Sequence, residues 1–316
     1  MPRISVIIPT RERVVLLRRA IASVLDQTFK DLEILVADDA SGDGTREMIQ
    51  SIADRRIRYL RHEDNRGVAS ARNTAITNAT GEYVAFLDDD DEWLPEKLRF
   101  QIDHIDTLSR SVGVISCGNY EVDSSSNRVL AEIRPSLKGD IFEKLLTQGF
   151  FSRTSTVLVR ASCFQRVGLF DTAFRYSEDF DMWVRLAREY TFDYVAKPLV
   201  RVYLQPNGLT RNYEAIIAGA ESELEKYHEF FEQNPRVHSR RLERLATYYC
   251  LAGNLRRGRE VFRGALARDG FATKSYAGIG LSLLGSRVFS GYFAAKNRFA
   301  EAVAPDISTG SRQSTV

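Results

Sequence analysis

Five consecutive carboxylates, Asp88-Asp89-Asp90-Asp91-Glu92, follow directly on the apolar run Tyr83 to Leu87. Like charges a few ångströms apart raise one another's pKa, and a bound cation is a physical remedy for that repulsion. Hard oxygen donors select Mg²⁺ or Mn²⁺, ions that take one or two carboxylates and complete their shell with water and phosphate oxygens. A solvated acidic turn has the same composition, but a position at the end of a buried strand favours a ligand site. An EF-hand is excluded, because Trp93 stands where that loop requires glycine.

Three smaller groups accompany the run. Asp38-Asp39 ends a second apolar stretch and opens into Ala40-Ser41-Gly42-Asp43-Gly44-Thr45, a pattern that fits a turn and helix cap as well as a ligand site. Asn65-Arg66-Gly67 precedes a helical pattern containing Arg72, whose guanidinium could answer the carboxylates or a phosphate, or lie on the surface. Ser177-Glu178-Asp179 stands before Phe180, Trp183, Val184 and Leu186, where an acidic residue can cap a helix.

The elements that must position these groups alternate along the chain. Ile4 to Ile8 reads as a strand closed by Pro9, and Val14, Leu17, Ile21, Val24 and Leu25 recur at helical spacing. Strand, helix, strand, helix and strand follow at Leu32 to Ala37, Thr45 to Ala53, Ile57 to Leu60, Val68 to Ala79 and Tyr83 to Leu87. Repeated βα units predict an α/β fold with a mainly parallel, Rossmann-like sheet flanked by helices, whose ligands sit beyond the carboxyl ends of the strands. Pro95 is expected in the first turn of a helix to about Leu108, with Asp91 and Glu92 forming the turn and helix start. Val112 to Cys117 reads as a strand, Tyr120 to Leu130 as a hairpin or exposed loop, Ser155 to Val159 as a strand and Asp179 to Tyr190 as a helix. Leu199 to Leu204 reads as a last strand before Pro206-Asn207-Gly208.

After Thr210 the pattern is helical. Tyr249, Gly253, Leu255, Phe262, Ala265 and Leu266 match one tetratricopeptide-like helix pair, with Gly258 in place of the usual small packing residue, Ala; a single unit implies an αα-hairpin and not an array. The polar stretch Ser308 to Val316 is expected to be disordered.

Composition narrows the partners. The 316 residues are 44% hydrophobic, enough for a full core, with a formal charge of +2. Residues 215–316 hold 15 Lys and Arg against 10 Asp and Glu, whereas residues 1–214 hold 29 against 32. Neither balance gives the dense basic face of a nucleic-acid binder, so no nucleic-acid partner is expected. Cys117, Cys163 and Cys250 are scattered, which suits a reducing cytosol and supports neither a disulfide framework nor a zinc site. No signal peptide or membrane span is read, and a cytoplasmic location is expected. Between Lys274 and Lys296 the only charge is Arg287, among Leu281, Leu283, Leu284, Val288, Phe289, Tyr292 and Phe293. Residues 270–300 could therefore rest on an anionic membrane surface, although a helix pair closing the core would explain the same pattern.

Taken together, Ser5-Val6-Ile7-Ile8-Pro9-Thr10, Ser23-Val24-Leu25-Asp26-Gln27-Thr28, Val36-Ala37-Asp38-Asp39-Ala40-Ser41, Asn65-Arg66-Gly67, Ala71-Arg72-Asn73 and Leu87-Asp88-Asp89-Asp90-Asp91 resemble a family 2 glycosyltransferase, closely over residues 3–110. The resemblance implies the GT-A fold of nucleotide-diphospho-sugar transferases. It implies a nucleotide-sugar-binding half in residues 1–110, an acceptor-binding half in 111–214 and a helical extension over 215–307. Pro9, Thr10 and Asp39 would line the base and ribose pocket with Asn65 and Gly67 beside them, and Arg72 would hold the base or phosphates. Asp88 and Asp90 would form the DxD element, with Asp90 the direct ligand of Mn²⁺ or Mg²⁺, and Asp88 and Asp89 would contact ribose, water or the donor sugar. Asp179 would be the base of an inverting transfer, with Glu178 the second candidate.

The pattern departs from its relatives at Arg11 and Glu12, where many carry an aromatic and an Asn, so base stacking would fall to Arg11. Gln205 stands near a position that often holds a metal-reaching His. The implied activity moves a sugar, from a UDP-sugar first of all, to a hydroxyl of a glycan or lipid-linked glycan in surface polysaccharide or glycolipid synthesis. The alternative is a non-catalytic nucleotide-sugar or glycan-binding module of the same fold. A nicotinamide oxidoreductase would need a glycine fingerprint after the first strand, and a nucleotidyltransferase a glycine-rich basic loop near Thr10; both are absent.

Overall fold

The computed structural model describes residues 1–148, 151–174, 176–205 and 212–293. Contacts divide the chain into two compact units, Met1–Glu223 and Leu224–Val316. The expectations for Pro206-Asn207-Gly208 and for 308–316 lie outside the described residues.

The first unit opens with β1 (Ile4–Thr10), α1 (Val14–Leu25), β2 (Leu32–Asp38), α2 (Thr45–Gln50), β3 (Ile57–Arg61), α3 (Val68–Asn78) and β4 (Tyr83–Phe86). Every residue of β1 and β2 is buried, as a strand covered on both faces requires, and α1 turns Leu17, Ala20, Ile21 and Val24 into the core at helical spacing. There follow β5 (Glu92–Trp93), α4 (Lys97–Ile105), β6 (Val112–Asp123), β7 (Val129–Ile133), α5 (Phe142–Gln148), β8 (Leu158–Arg160), α6 (Ser162–Val167), α7 (Glu178–Glu189) and β9 (Thr191–Leu204).

The sheet order is β3-β2-β1-β4-β8-β6-β9-β5, with β7 beside β6. Its first four strands are parallel, as the βα alternation predicts. Beyond them β8 enters antiparallel to both β4 and β6, β9 runs parallel to β6, and β5 closes the edge antiparallel to β9. The hairpin read over Tyr120 to Leu130 is the β6–β7 turn, where the Asp123 carboxylate accepts from the backbone and hydroxyls of Ser125 and Ser126.

Two expectations need correcting. Glu92 does not begin a helix: with Trp93 it forms a strand that pairs with Arg201 and Val200, the Trp93 indole donates to the Ser155 carbonyl at 2.7 Å, and α4 starts only at Lys97. The last strand begins at Thr191, eight residues before Leu199. Its first half reads as polar because Asp193 interrupts it, yet that carboxylate is buried and held by Lys138 at 2.8 Å and His104 at 3.6 Å.

The helix α8 (Tyr213–Lys226) carries the chain across the division, and α9 (His228–Gln233), α10 (Pro235–Leu251), α11 (Leu255–Arg268) and α12 (Thr273–Leu283) follow. The expected αα-hairpin is α10 against α11. A Cβ on Gly258 would stand 2.2 Å from Cys250 Sγ and 3.0 Å from the Ala246 carbonyl, so the helices approach too closely for alanine.

Lys97 is fully buried among the core residues of the first unit, its Nζ 3.8 Å from the Trp93 ring centroid and without a hydrogen-bond partner among the described residues. Burial pushes its ammonium from 10.5 down to about 8, with the Cys117 thiol opposing. A folded value below the unfolded one means that the unfolded chain binds more protons between the two, so this contribution to stability rises with pH through that window. Lys97→Met should therefore stabilise the protein at pH 7 by about 2 kcal/mol, a burial cost of about 3 less a cation–π contact of about 1. The gap should close as pH rises from about 8 to 10.5. Urea unfolding of both proteins at pH 7 and pH 10 checks this; a less stable variant at pH 7, or a gap indifferent to pH, contradicts it.

Candidate active site

The site starts from strand register. Thr10 pairs with Asp38 across β1 and β2, Ile7 pairs with Phe86 across β1 and β4, and Leu87 N donates to the Ile7 carbonyl at 3.0 Å. Asp88-Asp89-Asp90 therefore leaves the sheet beside the end of β1. Thr10 Oγ1 donates to Asp89 Oδ2 at 2.7 Å, and Arg13 Nη1 lies 3.0 Å from both Asp89 Oδ1 and Asp90 Oδ2. Arg19 donates to the Asp90 carbonyl at 2.5 Å, pairs with Glu92 at 3.5 Å and stacks 3.8 Å from the Tyr203 ring centroid. Burial pushes Asp89 up to about 6 against the pull of Arg13 and Thr10. Asp90 is raised by burial and then by Asp88, and Asp91 is raised further by burial, Asp90 and Asp88.

Asp91 is more than a turn residue. It is 4% exposed, accepts from Ser155 Oγ at 2.5 Å and from Tyr203 N at 3.2 Å, and so ties the approach to β8 to the end of β9. Ser155 Oγ also accepts from Asp88 N at 3.0 Å, within the 3₁₀ turn Thr154–Thr156. The neighbouring Thr154 Oγ1 donates to Asp179 Oδ2 at 3.2 Å. One three-residue turn thus touches the acidic run and the start of α7.

Arg72 makes the same connection through its guanidinium. The residue is 4% exposed, Nη2 donates to Asp88 Oδ1 at 2.9 Å and Nη1 to Glu178 Oε1 at 2.6 Å, and the ring of Phe170 lies 5.4 Å away. It is no surface arginine. Burial pushes Glu178 up, Arg72 pulls it down and Asp179 pushes it up again, for a net rise. Asp179, half-buried beside it, accepts from Phe180 N at 2.7 Å as well as from Thr154.

Asp39 organises the adjoining loop. Its carboxylate accepts from Arg66 N and Gly67 N, each at 2.8 Å, and meets His62 Nδ1 at 2.8 Å. Burial pushes this carboxyl up, but the Arg66 N–H, His62 and the Gly67 N–H outweigh it and hold the group below its ordinary value. Gly67 has φ of 87°, a left-handed conformation that glycine adopts at little cost while aiming its N–H at Asp39. Asn65 Oδ1 accepts from the same N–H at 3.2 Å.

Thr10, Asp88, Asp89, Asp90, Arg72, Glu178 and Asp179 thus form one connected group. Asp39, Asn65 and Gly67 form a second, joined to the first where Asp39 N donates to the Thr10 carbonyl at 2.9 Å. Pro9 is buried in β1 and Arg11 is exposed. Glu12 spends its carboxylate on Gly42 N at 2.8 Å, closing the loop after β2. Gln205 is half-buried at the end of β9. The sequence reading missed Arg13, Arg19, Thr154, Ser155 and Tyr203. Arg13 had a signal: it stands at the N-cap of α1, where the helix dipole disfavours a cation, so something outside the helix must hold it there.

The donor set suits a hard divalent cation. Among the described residues no three carboxylates, histidines or cysteines form a ready cage. Mg²⁺ and Mn²⁺ need only one or two carboxylates when phosphate and water supply the rest, and Asp89 and Asp90 already hold one cationic group, the Arg13 guanidinium.

Residues 5–167 match the sequence profile described as Glycosyl transferase family 2. An uncharacterised glycosyltransferase of Rickettsia prowazekii is 34% identical over 192 residues, 59% of this chain and 59% of that protein, so the chain spans under two thirds of that relative's length. The Escherichia coli protein named UDP-Glc:alpha-D-GlcNAc-diphosphoundecaprenol beta-1,3-glucosyltransferase WfgD is 33% identical over 186 residues, 59% of this chain and 70% of its own. In fold, the chain resembles the mannosyltransferase PcManGT from Pyrobaculum calidifontis in complex with GDP-Man and Mn²⁺, with a TM-score of 0.56 and 20% identity over 95% of this chain and 80% of that one.

Removing Arg72 should leave Asp88 and Glu178 facing each other without a counter-ion. Arg72→Ala is expected to cost about 3 kcal/mol of unfolding free energy, and Glu178→Gln in the same background should restore part of it. Urea unfolding of wild type, Arg72→Ala, Glu178→Gln and the double variant decides; additive losses would contradict the coupling.

Proposed function

Because the chain belongs to glycosyl transferase family 2, we propose that it transfers a sugar with inversion from a UDP-sugar to a hydroxyl of a lipid-linked glycan, in surface polysaccharide or glycolipid synthesis. The observation that carries this reading is the Arg72 bridge, which sets the acidic end of β4 and the acidic start of α7 on opposite sides of one guanidinium. Two carboxylate groups with separate duties are what an inverting transfer needs, one at the donor diphosphate and one at the acceptor hydroxyl. The donor and acceptor named for the E. coli relative support the substrate classes.

Asp88, Asp89, Thr10 and the loop that Asp39 shapes with Asn65 and Gly67 receive the nucleotide and donor sugar, with Pro9 beneath them and the exposed Arg11 at the base. Asp90 with Asp88 would hold Mn²⁺ or Mg²⁺. Such a cation, when bound, neutralises charge on the departing nucleoside diphosphate. Asp179 takes the proton from the acceptor hydroxyl, and Thr154 orients it. Arg72 keeps Glu178 occupied, so that Asp179 is the base. Attack from the face opposite the leaving group inverts the anomeric centre. A non-catalytic binding module of the same fold would keep the donor contacts but have no use for a half-exposed Asp179.

Asp179→Asn should lower the rate of transfer by about 10²–10⁴ while UDP-sugar binding, followed by calorimetry with Mn²⁺, stays unchanged; Asp90→Ala should weaken both. An active Asp179→Asn enzyme would refute the base. A thermal-shift panel of nucleotide-sugars with and without Mn²⁺ names the donor class, and no response to any of them refutes the donor reading.

Residues 270–300 contribute membrane contact on the cytoplasmic face in this proposal, with 294–300 outside the described residues. Phe271, Leu283 and Leu284 are exposed at 88%, 70% and 67%, and no acidic residue falls between Gly270 and Phe293. Leu283→Glu with Leu284→Glu should abolish co-sedimentation with anionic vesicles at an unchanged melting temperature; retained binding sinks the membrane contact.

A further inference from the structure

We propose that Arg13 is the resident counter-ion of the donor site: it holds Asp89 and Asp90 before substrate arrives and passes to the donor diphosphate when a divalent cation takes Asp90. The inference rests on the reading of the acidic run as a metal and nucleotide site.

A single nitrogen, Nη1, lies 3.0 Å from Asp89 Oδ1 and 3.0 Å from Asp90 Oδ2. It stands between the two carboxylates as a bridging cation would. The Asp89 carboxylate is fixed on its other side by the Thr10 hydroxyl at 2.7 Å, and Asp90 is anchored through its backbone carbonyl, which accepts from Arg19 at 2.5 Å. Arg13 has no such restraint: its side chain is 44% exposed, and among the described residues its guanidinium bonds to these two aspartates. Arg19 cannot take this part, because Tyr203 and Glu92 hold its guanidinium. Arg13 also sits at the N-cap of α1 without capping that helix, a place unfavourable to a cation but well suited to an anion.

The consequence is a coupling between metal and nucleotide. Without nucleotide, a divalent cation must displace a guanidinium that then loses its anions to solvent. With a diphosphate present the displaced guanidinium gains a new partner, and planar bidentate recognition of phosphate suits arginine. Metal and nucleotide then strengthen each other's binding by one factor, as linkage requires. Arg13 is a positioning residue in this scheme, since it governs what the carboxylates hold.

The test is Mn²⁺ binding to the full chain, followed by electron paramagnetic resonance with and without UDP, for wild type, Arg13→Gln and Arg13→Lys. Arg13→Gln should bind Mn²⁺ alone roughly tenfold more tightly than wild type, and the strengthening by UDP should shrink by a similar factor. Arg13→Lys should lie between them, and matching melting curves establish that the variants fold. Equal or weaker Mn²⁺ binding by Arg13→Gln without UDP overturns the proposal while leaving the metal site standing. Failure of every protein to bind Mn²⁺ even with UDP overturns the metal reading and this inference with it.

Discussion

Repulsion among the carboxylates at the end of β4 is the constraint around which the first unit is arranged. Asp88 to Asp91 project from consecutive residues where burial already penalises charge, and each of Asp89, Asp90 and Asp91 is raised above its ordinary value. Three guanidiniums answer them, Arg13 at the start of α1, Arg19 further along the same helix and Arg72 in α3. Arginine suits the task because its charge persists on burial and its planar fork can serve two acids at once, as Arg72 does. The sheet order serves the same end. With β1 between β2 and β4, Thr10 and the residues that follow it reach both the Asp39 loop and the acidic run.

Backbone strain gathers in the same region. Of the non-glycine residues with positive φ among those described, Glu12, Ala40 and Ser177 stand in the loops after β1 and β2 and just before α7, at 53°, 65° and 63°. Each such residue costs on the order of 1 kcal/mol, and its neighbours must hold it in place. Here the restraints are visible: Glu12 N donates to Ser41 Oγ and its carboxylate accepts from Gly42 N, which locks the two loops together. A site made of loops acquires in this way the rigidity that its charges demand.

The parallel half of the fold was legible because its strands are apolar throughout and its helices keep their period; β1, β2, α1 and α3 fall within a few residues of their expected places. The second half was harder to read for a definite reason. The chain there enters the sheet in short antiparallel pieces, β5 and β8, which are too brief to carry a period, and β9 buries Asp193 with an ion pair that the sequence does not show. The acidic run was legible as a cluster, but its partners were not. Arg13 and Arg72 look alike in a sequence, and only the fold separates a cation between Asp89 and Asp90 from one locked between Asp88 and Glu178. Ser155 and Thr154 are small hydroxyls whose significance depends wholly on the turn that places them.

Burial also argues for the division of labour at the start of α7. Glu178 and Asp179 share the positive end of that helix and differ by one residue. Glu178 points into the protein, 9% exposed, and gives an oxygen to Arg72 at 2.6 Å. A carboxylate held so cannot turn to an arriving hydroxyl without stranding a buried guanidinium, a loss of several kcal/mol. Asp179 is half-buried and its Oδ2 is held by the longer Thr154 contact of 3.2 Å, which an acceptor hydroxyl could replace at small cost. Glu178 thus fixes the helix to the acidic run through Arg72, and in the proposed transfer that attachment leaves Asp179 as the carboxylate to receive the proton.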